Sequence, residues 1–86
     1  MYNLIVKKSV KKDIEDIDRD DLQRIADNIK ALKFNPLPPG IKKIKKGKGS
    51  YYRIRQGDFR IGYRFDSTEK LIEIIYIRRR SERTYL

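Results

Sequence analysis

The chain lacks cysteine and histidine, and it is short of acid: 12 Asp and Glu stand against 22 Lys and Arg. Without Cys there is no disulfide, no thiolate metal site and no thiol nucleophile. Without His, the commonest general acid/base and the commonest metal ligand are both missing. No apolar run approaches the ~18 residues of a membrane span. The stretch from Met1 to Lys8 has no long apolar segment of the secretory kind. These absences predict a soluble, cytosolic protein with no membrane association. The length of 86 residues predicts one domain over 1–86, since domains run ~50–250 residues. A chain this short buries only about 60% of its unfolded surface, so the core must be small.

What is present is positive charge, unevenly spread. Residues 1–34 carry eight basic and seven acidic side chains, a net of +1. Residues 35–86 carry fourteen and five, a net of +9. Either the second half meets a polyanion, nucleic acid first among them because phosphate binding releases counterions, or the charge is a solvated surface that keeps the chain in solution.

The order of elements follows from periodicity. Tyr2 to Val6 reads as a first strand. Ser9 can cap a helix whose stripe is Val10, Ile14 and Ile17. Asp20 with Gln23 three residues on fits a capping box for a second helix, carried by Leu22, Ile25, Ala26, Ile29 and Leu32. Together they form a helical hairpin or one kinked helix. Phe34-Asn35-Pro36 ends it, and Pro36, Pro38, Pro39 and Gly40 stiffen the loop that follows. Ile41 to Ile44 is a strand or an irregular basic segment. Tyr51 to Gln56 alternates, Gly57-Asp58 is a two-residue hairpin turn with Gly first, and Phe59, Ile61, Tyr63 and Phe65 alternate with Arg60, Gly62 and Arg64. Asp66 to Glu69 turns the chain. Leu71 to Ile77 is nearly all apolar, as a central strand covered on both faces would be.

The expected fold is α+β: an N-terminal strand, a two-helix hairpin and an antiparallel meander, with the helices on one face of a small sheet. The other face stays free. Alternation directs Arg53, Arg55 and Arg60 toward it, with Arg64 a further candidate. Arginine suits a phosphate platform because its planar fork meets two oxygens at once.

Such a platform can support cleavage of RNA by its own 2′-hydroxyl. That reaction needs a base for the hydroxyl, positive charge for the phosphate and a proton for the leaving oxygen. Clustered Arg supplies the second. For the first, Arg neighbours favour the phenolate of a Tyr. Tyr85 lies beside Arg78, Arg79, Arg80 and Arg83, and is either such a base or an apolar anchor of the C-terminus. The basic tail itself is either functional or solvated. The acidic cluster from Asp13 to Asp21 lacks the spacing and glycine of a calcium loop, and helix-starting carboxylates are ordinary dipole partners. Gly47-Lys48-Gly49 is a turn, not a phosphate loop.

The segment Tyr52-Arg53-Ile54-Arg55-Gln56-Gly57-Asp58-Phe59-Arg60-Ile61-Gly62-Tyr63 resembles the Tyr-Arg-Ile-Arg-x-Gly-Asp-Tyr-Arg-x-x-Tyr stretch of the RelE/ParE toxin superfamily. Lys43-Ile44-Lys45-Lys46-Gly47 resembles its Lys-Leu-Lys-Gly turn, and Arg79 to Tyr85 resembles its closing basic motif. The resemblance implies a RelE-like toxin of a type II toxin–antitoxin pair that cleaves mRNA in the ribosomal A site as a metal-independent endoribonuclease. It implies no cofactor. Its partners would be mRNA, the ribosome and an acidic, RelB-like antitoxin. Carried over by position, Arg53 and Arg55 neutralise the phosphate, and Arg60 stabilises the transition state. Arg79, or Arg80 one residue on, does the same, and Tyr85 is the general base. Lys42, Lys43, Lys45, Lys46, Lys48 and Arg80 would hold RNA. Well-known RelE members carry Lys where this chain has Arg53 and Arg55, which keep the charge but donate a proton poorly. Two other readings stand beside it: a non-catalytic, ParE-like gyrase inhibitor, and a plain RNA-binding module with Tyr51 or Tyr52 as a stacking surface.

Overall fold

The computed structural model describes residues 1–47 and 49–79, with Lys46 described in its backbone alone. The elements are β1 (Asn3–Val6), α1 (Lys8–Asp13), α2 (Arg19–Leu32), β2 (Lys42–Lys46), β3 (Gly49–Gln56), β4 (Phe59–Asp66) and β5 (Leu71–Arg79). The helical hairpin is real: two helices flank a short connection at 14–18. Its caps are not those expected. Lys7, in extended conformation, precedes α1 without a side-chain hydrogen bond, and Ser9 lies within the first turn. Asp18, not Asp20, caps α2, accepting from the Asp21 N–H at 2.9 Å. Asp18 holds the extended backbone a cap needs. That leaves Asp20 and Asp21 in the first turn, where their charge meets the positive end of the helix. Gln23 bonds forward to Asp27 at 3.0 Å instead of closing a capping box.

The five strands form one sheet in the order β1-β5-β4-β3-β2. Residues from β2 onward form the expected antiparallel meander, so Lys42–Lys46 is a strand. The Gly57-Asp58 turn has Gly57 at φ +58°, as a hairpin turn with Gly first requires. The first strand returns to pair with the last: β1 runs parallel to β5, Asn3 to Val6 against Leu71 to Ile74.

The helices cover one face. Val10, Ile25 and Leu32 meet Ile54, Phe59, Ile61, Tyr63, Ile72, Ile74 and Ile77 in a single buried cluster. Tyr63 is the largest of these, and its hydroxyl donates to the Pro36 carbonyl at 2.6 Å, tying the proline loop to the core. At the far edge, β1 leaves Leu4, Ile5 and Val6 exposed.

β5 departs from expectation. It is interior to the sheet, yet only one of its faces is covered by helix. The pairing slips between Gly62 and Tyr63: Gly62 faces Tyr76 and Tyr63 faces Ile74, so Ile75 is an extra residue on β5. This β-bulge moves the core side of the strand from Ile72 and Ile74 to Ile77. The apolar run reflects that phase shift, not burial on two sides.

Candidate functional site

The sheet face away from the helices is built in rows. Cross-strand partners share a face, and Arg55, Arg60 and Arg78 stand opposite one another on β3, β4 and β5. The adjacent row is Lys42, Arg53, Gly62 and Tyr76. Arg53, Arg55 and Arg60 are therefore brought together as the alternation predicted, and Lys42 joins them from β2. Arg64 shares the face but lies four residues from Arg60 along β4, and its guanidinium faces Glu73 at 3.8 Å.

Like charges this close repel, so the cluster does not serve stability. Among the described residues, none of Arg53, Arg55, Arg60 and Arg78 is in an ion pair. Arg60 is half-buried, and its Nε is buried with no hydrogen-bond partner among those residues. A buried donor left unpaired costs free energy that an arriving acceptor removes. A cleft of about 480 Å³ opens at the β3 end of the platform. Lys42, Arg53 and Arg55 line it, and Pro38, Pro39 and Gly40 wall it.

Tyrosines occupy the centre of the face. Tyr76 reaches across Gly62 toward Tyr51; the two rings meet edge to face at 5.7 Å between centroids. The Arg78 guanidinium lies over the Tyr76 ring, 4.8 Å from its centroid. Burial raises the Tyr76 pKa from 10.0 to about 12, helped by Tyr51 and opposed by Arg53 and Arg78. Desolvation outweighs the two cations, so Tyr76 stays a neutral phenol and is no candidate base. Tyr52 belongs to the helix side, against Tyr63 and Phe65. Of the two stacking candidates, the open face therefore holds Tyr51.

Other predicted residues fall elsewhere. Lys43 lies opposite Tyr52 and its ammonium faces that ring at 6.0 Å, so Lys43, and Lys45 two residues on, share the helix side. Arg79 also turns to that side: its guanidinium sits 5.0 Å from the centre of the Phe59 ring and donates to the Asp16 carbonyl at 3.4 Å. The arginine that the described part of β5 adds to the platform is Arg78. The Lys46 side chain, Lys48, Arg80 and Tyr85 lie outside the described residues. Tyr76 was missed because the apolar run from Leu71 to Ile77 reads as covered on both faces, and Arg78 because it reads as the start of the basic tail. The spacing of Ile77, three after Ile74, is the signal that a bulge reverses the phase.

A family model described as the ParE toxin of type II toxin–antitoxin systems, parDE, matches residues 4–84. A curated relative from Methanocaldococcus jannaschii that bears the toxin name RelE1 is 37% identical over 81 residues, covering 92% of this chain and 90% of its own. The toxin fold in a RelE–RelB complex from Pyrococcus horikoshii superposes with a TM-score of 0.81 at 24% identity, over 94% of this chain and 97% of that one. A RelB–RelE antitoxin–toxin complex from Methanococcus jannaschii gives 0.69 at 28% identity, over 88% and 89%.

Proposed function

The chain belongs to the RelE/ParE superfamily and is the toxin of a type II toxin–antitoxin pair, and we propose that it acts as a ribosome-dependent endoribonuclease that cuts mRNA in the A site. The observation that carries this reading is the arginine row of Arg55, Arg60 and Arg78, which has no ion pair among the described residues and stands beside Arg53 on a face no described helix covers. Such a face suits a phosphodiester approaching its trigonal-bipyramidal transition state. There, charge grows on the nonbridging oxygens, and preorganised donors act most strongly. Arg53 and Arg55 hold the phosphate. Arg60 meets the developing charge, with Arg78 in the role that the resemblance implied for Arg79 or Arg80. Tyr85 takes the 2′-hydroxyl proton. The 2′-oxygen bonds to phosphorus as the P–O5′ bond breaks, and the departing 5′-oxygen takes a proton from solvent water, leaving a 2′,3′-cyclic phosphate and a 5′-hydroxyl. The reaction needs no metal or cofactor, and Lys42 and its basic neighbours hold ribosomal RNA.

The partners in this reading are mRNA, the ribosome and an acidic RelB-like antitoxin. The antitoxin neutralises a face whose net charge favours an anionic segment. The RelE–RelB complexes among the structural neighbours support such a partner.

A second reading, inhibition of DNA gyrase, is favoured by the ParE description of the matching family. Ribosomes programmed with mRNA and incubated with purified toxin separate the two. The nuclease reading predicts new A-site ends carrying cyclic phosphate, with supercoiling by gyrase unaffected. Intact mRNA together with blocked supercoiling supports the gyrase reading instead. RNA binding with neither effect leaves a plain binding module.

A further inference from the structure

A side chain at Gly62 cannot coexist with Tyr76 as it stands. A Cβ there would lie 2.3 Å from Tyr76 Cε2 and 2.6 Å from Cζ, both rigid ring atoms. The absence of a side chain on β4 is thus what lets the β5 tyrosine lie flat across the neighbouring strand. The Gly62 backbone is in the ordinary extended region, since its φ is not among the positive values. Glycine is needed there for space, not for conformation, and glycine within a strand weakens the sheet.

The ring so seated has a consequence two residues along the strand. Arg78 shares the face of Tyr76 and rests its guanidinium over that ring. A cation over an aromatic face is attracted by the ring's negative face, which favours one placement of the guanidinium over the many open to a free side chain. Arg78 is exposed and, among the described residues, has no carboxylate to fix it. Its Cα partner is Arg60, at the centre of the guanidinium row. The Tyr76 hydroxyl contributes little to this: at 3.4 Å from the Tyr51 hydroxyl it is long for an O–H···O bond. The ring does the holding.

We propose that Gly62 and Tyr76 form a seat whose task is to aim Arg78 at the scissile phosphate, so that Tyr76 is a positioning residue for the cleavage reaction. This rests on the nuclease reading above. A flexible arginine beside the phosphate spends binding energy on its own ordering, whereas one held by a ring does not, and misplacement of such a group by about 1 Å can cost of order 100-fold in rate.

The test combines single-turnover cleavage of ribosome-bound mRNA with the Nε–H resonance of Arg78, which the ring current of Tyr76 displaces. Variants Tyr76→Leu, Tyr76→Phe, Gly62→Ala, Arg78→Ala and the double variant Tyr76→Leu/Arg78→Ala are compared, with denaturation midpoints to select those that are folded. The seat predicts a displaced Arg78 resonance in the wild type and in Tyr76→Phe, and its loss in Tyr76→Leu and Gly62→Ala. It predicts a rate reduced at least about 10-fold in Tyr76→Leu at little changed KM, recovery in Tyr76→Phe, and almost no further loss in the double variant beyond Arg78→Ala, as for groups acting as a unit. Folded Tyr76→Leu that cleaves like the wild type, or costs that multiply in the double variant, overturns the proposal while leaving the nuclease reading in place. A wild type that shows the displaced resonance but cleaves nothing overturns the nuclease reading, and the catalytic task of the seat with it. An undisplaced resonance in the wild type removes the seat itself.

Discussion

Tyr63 and Tyr76 are polar residues used mainly for their rings, and both carry a pH signature. Tyr63 is fully buried, and burial, reinforced by Tyr52, pushes its pKa well above the ordinary 10.0. Burial likewise raises Tyr76 to about 12. A phenol whose folded pKa is raised holds its proton more tightly in the folded state. Its contribution to stability is complete below the unfolded pKa of about 10 and is lost as pH rises through the folded value. Stability against chemical denaturant is therefore expected to be level between neutrality and pH ~9 and to fall steeply above pH ~10. Tyr63→Phe and Tyr76→Phe should each make that fall shallower. At neutral pH, Tyr63→Phe should cost about 1–2 kcal/mol, because the Pro36 carbonyl loses its donor. A fall equally steep in both variants would mean that these phenols are not the groups responsible.

At the scale of elements, α2 depends on its first turn. Asp18 accepts the Asp21 N–H, whereas Asp20 only adds charge near the helix start. Asp18→Ala should therefore cost about 1 kcal/mol. Asp20→Ala should cost about 0.3–1 kcal/mol, a part that disappears in high salt. Denaturation midpoints of the two variants at low and high salt measure this directly; equal costs at high salt would contradict the cap. The strands show where sequence reading stops. Arg53, Arg55 and Arg60 were legible because β3 and β4 alternate without interruption. Arg78 was not, because the apolar run before it reads as a strand covered on both faces, and only the bulge at Ile75 gives that run an open face that continues to Arg78. The parallel pairing of β1 with β5 was hidden for a different reason. It joins segments some 68 positions apart, Asn3 with Leu71, and no local periodicity reports a contact so distant. The choice of Asp20 over Asp18 failed because three aspartates lie within four residues, and only backbone conformation distinguishes the cap.

At the scale of the whole molecule, the net charge of +10 resolves into a helical half near neutrality and a sheet half that carries the excess. The sheet gathers part of that excess on one face, where Arg53, Arg55, Arg60 and Arg78 have no ion pair among the described residues. Binding to single-stranded RNA should therefore weaken as salt rises, with a log–log slope of about −0.7 for each phosphate neutralised. Arg53→Ala and Arg55→Ala should each make the slope less negative by about that amount, whereas Arg24→Ala, on α2 beside Asp21 at 3.4 Å, should leave it unchanged. Equal slopes in all three would mean that the charge acts only as a diffuse field. The apolar edge of β1, with Ile5 46% exposed and Val6 41% exposed, lies at the opposite edge of the sheet from the Lys42 strand.

The arginine rows are the centre of the account, and Arg60 is the middle of its row. The most direct measurement is the single-turnover rate at which wild-type protein and Arg60→Ala cleave mRNA held on the ribosome, with the cut position mapped. Loss of a donor to developing charge should slow cleavage by about 100- to 1,000-fold, at an unchanged cut site and with little change in affinity for the ribosome. Cleavage by Arg60→Ala at the wild-type rate, or no cleavage by either protein, would contradict the account.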